Sequence, residues 1–211
     1  MVASVSVASI PGTRRERLRA QMRQEILTAS RQILRESGFK DLSMRALAQA
    51  VGVTAPTLYD YFPSKEGVLD ALYEEGCGRL QNTFRQALGN TEVGLPQLRE
   101  IAFAYRAFAH AEPDLFTLIF GRIDRQYRPA EEVKAQAKSL ADILVSAIIA
   151  AIEIGDVRPV DPKAACLTVW TAVHGFVTLE INGFLNDECD PQTSEAMFAT
   201  SLEMLVEGLR P

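Results

Sequence analysis

The sequence predicts an all-α chain in two parts: a small N-terminal unit built on a helix-turn-helix and a larger helical unit behind it, about nine helices in total. Three observations carry this. No segment alternates apolar and polar residues as a half-buried strand does. Residues 43 to 65, SMRALAQAVGVTAPTLYDYFPSK, hold two short helical patterns joined by a glycine turn and closed by Tyr-Phe-Pro-Ser-Lys. The rest of the 211 residues supplies longer runs of helical periodicity separated by Gly and Pro.

Each helix boundary in the 43–65 stretch has a local cause. A long first helix is predicted over Arg17 to Ser37. Ser43 is a good N-cap, and Leu42 with Leu47 can close a hydrophobic staple across it. Ala46, Leu47, Ala50 and Val51 form a narrow apolar stripe, and Gly52 suits the left-handed residue that stops a helix. Thr54 repeats the capping logic with Val53 and Leu58, and Pro56 sits in the first turn, where its missing N–H costs nothing. Leu58 and Phe62, four apart, should face the core and leave Pro56, Thr57, Tyr59, Asp60 and Tyr61 toward solvent. Pro63 ends that helix, and Ser64 caps the next, with Lys65 in its first turn.

A helix-turn-helix places its second helix in the major groove of DNA while the first crosses the backbone. The outward residues suit that task. Arg45 can reach a phosphate or grip guanine, and the hydroxyls of Thr57 and Tyr59 can bond phosphates or base edges. Lys65 adds a charge at a helix N-terminus, where backbone N–H groups already favour phosphate. The run Thr57, Leu58, Tyr59, Phe62, Lys65, with GFKDLSMRALAQAVGV before it, resembles the DNA-binding domain of the TetR family of bacterial transcriptional regulators, over roughly residues 15 to 75. By position, the resemblance implies DNA contacts at Arg45, Ala55, Pro56, Thr57, Tyr59, Asp60, Tyr61 and Lys65. A carboxylate at Asp60 repels phosphate, so it is turned away, held by an Arg, or accepting from a cytosine amino group.

Net charge is −5, which alone does not suggest a polyanion as partner. Its distribution does. Residues 1 to 62 carry nine basic and five acidic side chains, a balance of +4, and the remainder carries thirteen and twenty-two, a balance of −9. A basic end facing DNA and an acidic body follow. The run from Arg14 to Arg19, RRERLR, reads either as a solvated helix start or as a basic arm along the DNA backbone.

The first residues, MVASVSVASIPGT, have no basic n-region and make no signal peptide; residues 1–14 are expected to be a flexible tail. Residues 15–64 are read as the DNA-binding domain and 65–211 as a helical domain for ligand binding and dimerisation. From Ala164 to Leu179, sixteen residues lack a formal charge, short of the roughly 20 that span a bilayer. Glu180, Asn182 and Asn186 then interrupt the run, so a buried helix and no membrane partner are expected. Cys77, Cys166 and Cys189 lack metal-ligand spacing and cannot all pair internally, which fits ordinary thiols in a reducing cytoplasm.

In the second part, Lys65 to about Leu88 continues from the head with Val68, Leu69, Leu72, Leu80, Phe84 and Leu88 at helical spacing, a natural element to couple the two parts. After a break from Gly89 to Pro96, Leu98, Ile101, Ala102, Tyr105, Phe108 and Ala109 make one apolar face, while Phe103 and Ala107 add apolar surface on the other. Such a helix should be central. Glu112-Pro113-Asp114 opens a short helix, DLFTLIFG, followed by the basic loop GRIDRQYRP. Three more helices are expected: from about Ala130 to Ile154, from Asp161 and Pro162 to near Gly183, and from Gln192 to Leu209.

The penultimate helix carries Trp170-x-x-x-His174-Gly175, with Trp170 and His174 on one face with Val177 and Ile181, and Gly175 open to a close helix approach. This resembles the Trp-His-Gly (WHG) class of TetR-family C-terminal domains, less specifically than in the head. The resemblance implies a homodimer joined through the last two long helices, two heads on a pseudo-palindromic double-stranded operator, and a small, largely apolar effector that releases a repressor from DNA. Leu202, Leu205, Val206 and Leu209 give the last helix an apolar stripe that suits such pairing. Candidate ligand contacts are Tyr105, Phe108, Phe116, Phe120, Trp170 and His174, each of which also fits a plain core role. With only His110 and His174, no Gly-rich phosphate loop, no GxSxG and no metal cluster, neither catalytic residues, metal ligands nor a cofactor are expected. The remaining alternative is a helical ligand- or protein-binding module without operator specificity.

Overall fold

The computed structural model describes residues 13–121, 127–185 and 190–211, and among them it contains nine helices and no strand. The chain divides into two compact units, one ending at Val68 and the other running from Leu69 to Pro211.

In the first unit, α1 (Arg14–Glu36) starts earlier than the apolar periodicity alone places it. The cause is a capping box: the Thr13 hydroxyl accepts from the Glu16 amide, and the Glu16 carboxylate accepts from the Thr13 amide at 2.6 Å. Residues 1–12 of the expected tail lie outside the described residues. The next helix, α2 (Met44–Ala50), is capped by Ser43, whose hydroxyl accepts from Ala46 N. Gly52 ends this turn at φ +70, a conformation L side chains rarely adopt. Thr54 then caps α3 (Ala55–Tyr59). Leu42, Leu47, Leu58, Phe62 and Ile26 are all at most 1% exposed, so the Leu42–Leu47 pair and the inward face of α3 close one small core, while Val53 is half-buried. In α2 the buried positions are Leu47 and Ala48, while Ala50 is exposed. The contact with α3 draws on a face rotated slightly from the stripe in the sequence.

The helix α4 (Lys65–Gly89) crosses the division. Its start is held by Ser64, whose hydroxyl accepts from Gly67 N at 3.2 Å. The second unit then adds α5 (Leu95–Ala111), α6 (Pro113–Phe120), α7 (Glu131–Glu153), α8 (Pro162–Ile181) and α9 (Pro191–Glu207). As its periodicity predicts, α5 is central and touches α6, α7, α8 and α9. Leu98, Ile101, Ala102, Tyr105, Phe108 and Ala109 are all buried on it, while Phe103 packs edge-on against Phe198 of α9 at 5.3 Å. Pro113 opens α6, and Asp161 caps α8 with both carboxylate oxygens.

By length and composition α7 and α8 could each cross a membrane. Each buries only part of its surface in this unit, so α8 is not the fully buried helix its apolar run predicts, and it carries an ion pair: the Glu180 carboxylate accepts two bonds from Arg106 of α5, at 2.9 and 2.6 Å. Cys77 and Cys166 are free and buried, and burial pushes the Cys77 thiol up to about 12. Cys189 and most of the basic loop, residues 122–126, lie outside the described residues. Tyr127, at that loop's end, is buried and donates its hydroxyl to Asp70 of α4 at 2.9 Å.

Candidate nucleic-acid interface and internal cavity

On the first unit, the face of α3 opposite Leu58 and Phe62 is polar and open. Tyr59 is 51% exposed, Pro56 and Asp60 are exposed, and Ala55, Thr57 and Tyr61 are half-buried. Arg45 is exposed near the start of α2. The Thr57 hydroxyl sits 2.9 Å from that of its cap Thr54. The C-terminal end of α3 is held from α1. Arg19 donates to the Asp60 carbonyl and Arg23 to the Tyr61 carbonyl, each at 2.5 Å. Their guanidinium groups also lie over the rings of Tyr61 and Phe62, at 5.2 and 4.1 Å. The Arg19 bond goes to the Asp60 backbone carbonyl, so it helps fix where α3 ends. Lys65 donates to the Phe39 carbonyl at 2.9 Å and lies 3.6 Å above the Phe39 ring. At least one of its three N–H groups is thus spent inside this unit.

Arg14, Arg15 and Arg19 of α1 share a surface concavity with Thr57 of α3 and with Asp60 and Tyr61 just beyond its end. The run RRERLR is a solvated helix start that also places guanidinium groups beside the open face of α3. Its density of arginine was the signal in the sequence; its placement needed the fold.

The second unit contains a partly open cavity of about 290 Å³. Its wall is built from α4 (Leu80, Phe84), α5 (Leu98, Ile101, Ala102, Tyr105), α6 (Ile119, Phe120), α7 (Ala137, Leu140, Ala141, Leu144) and α8 (Cys166, Val169, Trp170, Val173). Of the six residues singled out from sequence, Tyr105, Phe120 and Trp170 line it. Phe116 and His174 stand behind them in one aromatic cluster, with Tyr105–Phe116 at 5.5 Å, Phe120–His174 at 5.5 Å and Trp170–His174 at 5.7 Å. Phe108 is buried but is not part of the wall. The α7 seam Ala137, Leu140, Ala141, Leu144 has a regular helical spacing, but nothing local shows that it faces empty space.

The cluster is chemically closed. The Tyr105 hydroxyl lies 2.7 Å from His174 Nδ1, and Thr178 Oγ1 lies 3.3 Å from Nε2. Burial lowers the His174 pKa and raises that of Tyr105, the latter partly offset by the neighbouring Trp170 indole. A neutral imidazole therefore faces a protonated phenol, one ring nitrogen donating and the other accepting.

The comparisons agree with this architecture. Residues 26–72 match the family model described as bacterial regulatory proteins, tetR family, and residues 98–205 match the tetracyclin repressor-like C-terminal domain. An HTH-type transcriptional regulator of Mycobacterium tuberculosis is 25% identical over 82% of this chain and 85% of its own length. The HTH-type transcriptional regulator UidR of Escherichia coli is 25% identical over 89% of this chain and 92% of its own. A solved structure of a protein of unknown function from Rhodococcus sp. RHA1 superposes with a TM-score of 0.80 at 25% identity, covering 98% of this chain and 100% of that one. The capped helix-turn-helix, the helical body and the matched models together make one statement: this chain belongs to the TetR family of bacterial transcriptional regulators, DNA-binding proteins that are not enzymes.

Proposed function

We propose that this regulator binds a pseudo-palindromic operator as a homodimer, acts as a repressor in the cytoplasm, and is released when a small, largely apolar effector enters the body. The cavity of about 290 Å³ carries the ligand-responsive part of this reading, because an interior is otherwise close-packed and a void of this size forfeits stability unless something occupies it. On the head, Arg45, Ala55, Pro56, Thr57, Tyr59, Asp60, Tyr61 and Lys65 are the proposed DNA contacts, joined by Arg14, Arg15 and Arg19. Arg45 and Tyr59, exposed and on different helices, are the pair best placed to combine phosphate and base contacts.

A route from cavity to head runs along α4. A Cβ built at Gly76 of α4 would stand 2.9 Å from Ile119 Cδ1 and 3.3 Å from Leu115 Cβ of α6, so these α6 side chains pack directly on the α4 backbone at Gly76. Ile119 also lines the cavity. An occupant that displaces α6 therefore pushes on α4, the helix that begins at Lys65. A tenfold loss of operator affinity needs only about 1.4 kcal/mol of differential binding, within reach of a modest ligand.

For the homodimer, the support is apolar surface left open on α8 and α9. Leu167, Leu179, Met197 and Met204 are 56%, 47%, 44% and 73% exposed, and nothing described lies within 4 Å of a Cβ built at Gly175. A second copy supplies the close helix that Gly175 admits and the cover these side chains lack. Leu179→Glu is expected to move the protein from dimer to monomer in sedimentation velocity at micromolar concentration and to weaken operator binding at least tenfold. A variant that stays dimeric and binds normally would remove this face from the interface.

A further inference from the structure

We propose that the cavity selects an uncharged, hydrocarbon-like effector of about a dozen non-hydrogen atoms and discriminates against a carboxylate of the same chain length; this rests on reading the cavity as the effector site. Size comes first. A cavity of about 150 Å³ takes up benzene, and this one, at about 290 Å³, is roughly twice as large.

The class follows from what the wall offers. No residue of the wall carries a charge. Its side chains hold three polar groups, two of them already engaged within the protein. The Tyr105 hydroxyl is 2.7 Å from His174 Nδ1 and Cys166 Sγ lies 3.9 Å from the Ala141 carbonyl, which leaves the indole N–H of Trp170, at the exposed edge, as the remaining neutral donor. Arg106, on the helix that carries Tyr105, has its guanidinium closed on Glu180. A carboxylate entering here would exchange its hydration for at most one neutral donor and no positive charge, and it would have to bind protonated or leave its head outside. A neutral chain or ring loses nothing comparable and gains apolar contact on every side. Trp170 both lines the cavity and is 39% exposed, which places the edge of the cavity at the only tryptophan in the chain.

That tryptophan is the reporter for the test. Full-length protein is titrated at pH 8 with the ketone 2-undecanone and, separately, with undecanoate, and Trp170 fluorescence is followed. Expected is saturable binding of the ketone at a concentration at least tenfold below that of the carboxylate, lost in Ala102→Phe and in Val173→Phe. Both variants put a ring into the cavity, and far-UV circular dichroism identifies whichever stays folded. Equal or tighter binding of undecanoate, binding of neither probe, or ketone binding that persists in a folded filled-cavity variant overturns the proposal. Operator DNA in a parallel titration separates the two layers. Ketone binding with the expected selectivity but without DNA release leaves the ligand class standing and overturns the effector reading.

Discussion

Glu180→Ala is expected to destabilise the body by about 3–5 kcal/mol, because it leaves a buried guanidinium without its partner. The carboxylate side chain is 7% exposed and that of Arg106 14%. Two bonds come from Arg106, one from the Ser194 hydroxyl at 2.6 Å, and His110 Nε2 lies 2.9 Å away. Burial alone would raise the Glu180 pKa, but the bonds from Arg106, Ser194 and His110 overcome it and hold the group at about 2, against 4.5 for a free side chain. A folded-state value below the unfolded one contributes stability that is fully present above about 4.5 and is lost as pH falls toward 2. Urea unfolding followed by Trp170 should therefore show a midpoint that drops over that acid window in the wild type and drops less steeply in Glu180→Gln. A flat wild-type profile over that window would contradict the account. Replacing Arg106 and Glu180 together with apolar residues should cost far less than removing either alone, since the penalty lies in the orphaned charge.

Phe62→Ala is the second large effect, expected to cost roughly 3–5 kcal/mol within the head. Phe62 is 1% exposed, carries the Arg23 guanidinium on its ring at 4.1 Å, and shares the core with Leu58 and Leu47. A unit of only about 60 residues holds little stability in reserve, so operator binding should vanish with the fold of the head. Arg45→Ala removes an exposed side chain, and its expected loss is about 1–3 kcal/mol of DNA affinity with the head intact. Limited proteolysis distinguishes the two: rapid cleavage within the head for Phe62→Ala, a wild-type pattern for Arg45→Ala. A protease-resistant Phe62→Ala would show that this small core is not what holds the recognition helix.

Helix positions were legible because their causes are local. Ser43, Thr54 and Asp161 cap the helices their side chains announce, and Gly52 and Gly155 take the positive φ that ends a helix. The central place of α5 was legible as well, since a helix apolar on two faces needs neighbours on both. The cavity was less so. Periodicity tells which residues point inward, but empty space depends on how small side chains such as Ala102, Ala137 and Ala141 meet across two helices. For the same reason three of the six proposed ligand residues line the wall, while Phe116, His174 and Phe108 lie outside it. Glu180 shows the limit of local reading most plainly. In the sequence it interrupts an apolar run, whereas in the fold it is buried and paired with a residue 74 positions away.

The most direct test is fluorescence anisotropy of the full-length protein on DNA from its own upstream region, at two salt concentrations, with scrambled DNA as control. The predicted result is selective binding that weakens steeply with salt and loses roughly 10- to 100-fold in Arg45→Ala. Equal affinity for both DNAs, unmoved by Arg45→Ala, would contradict recognition through the open face of α2 and α3.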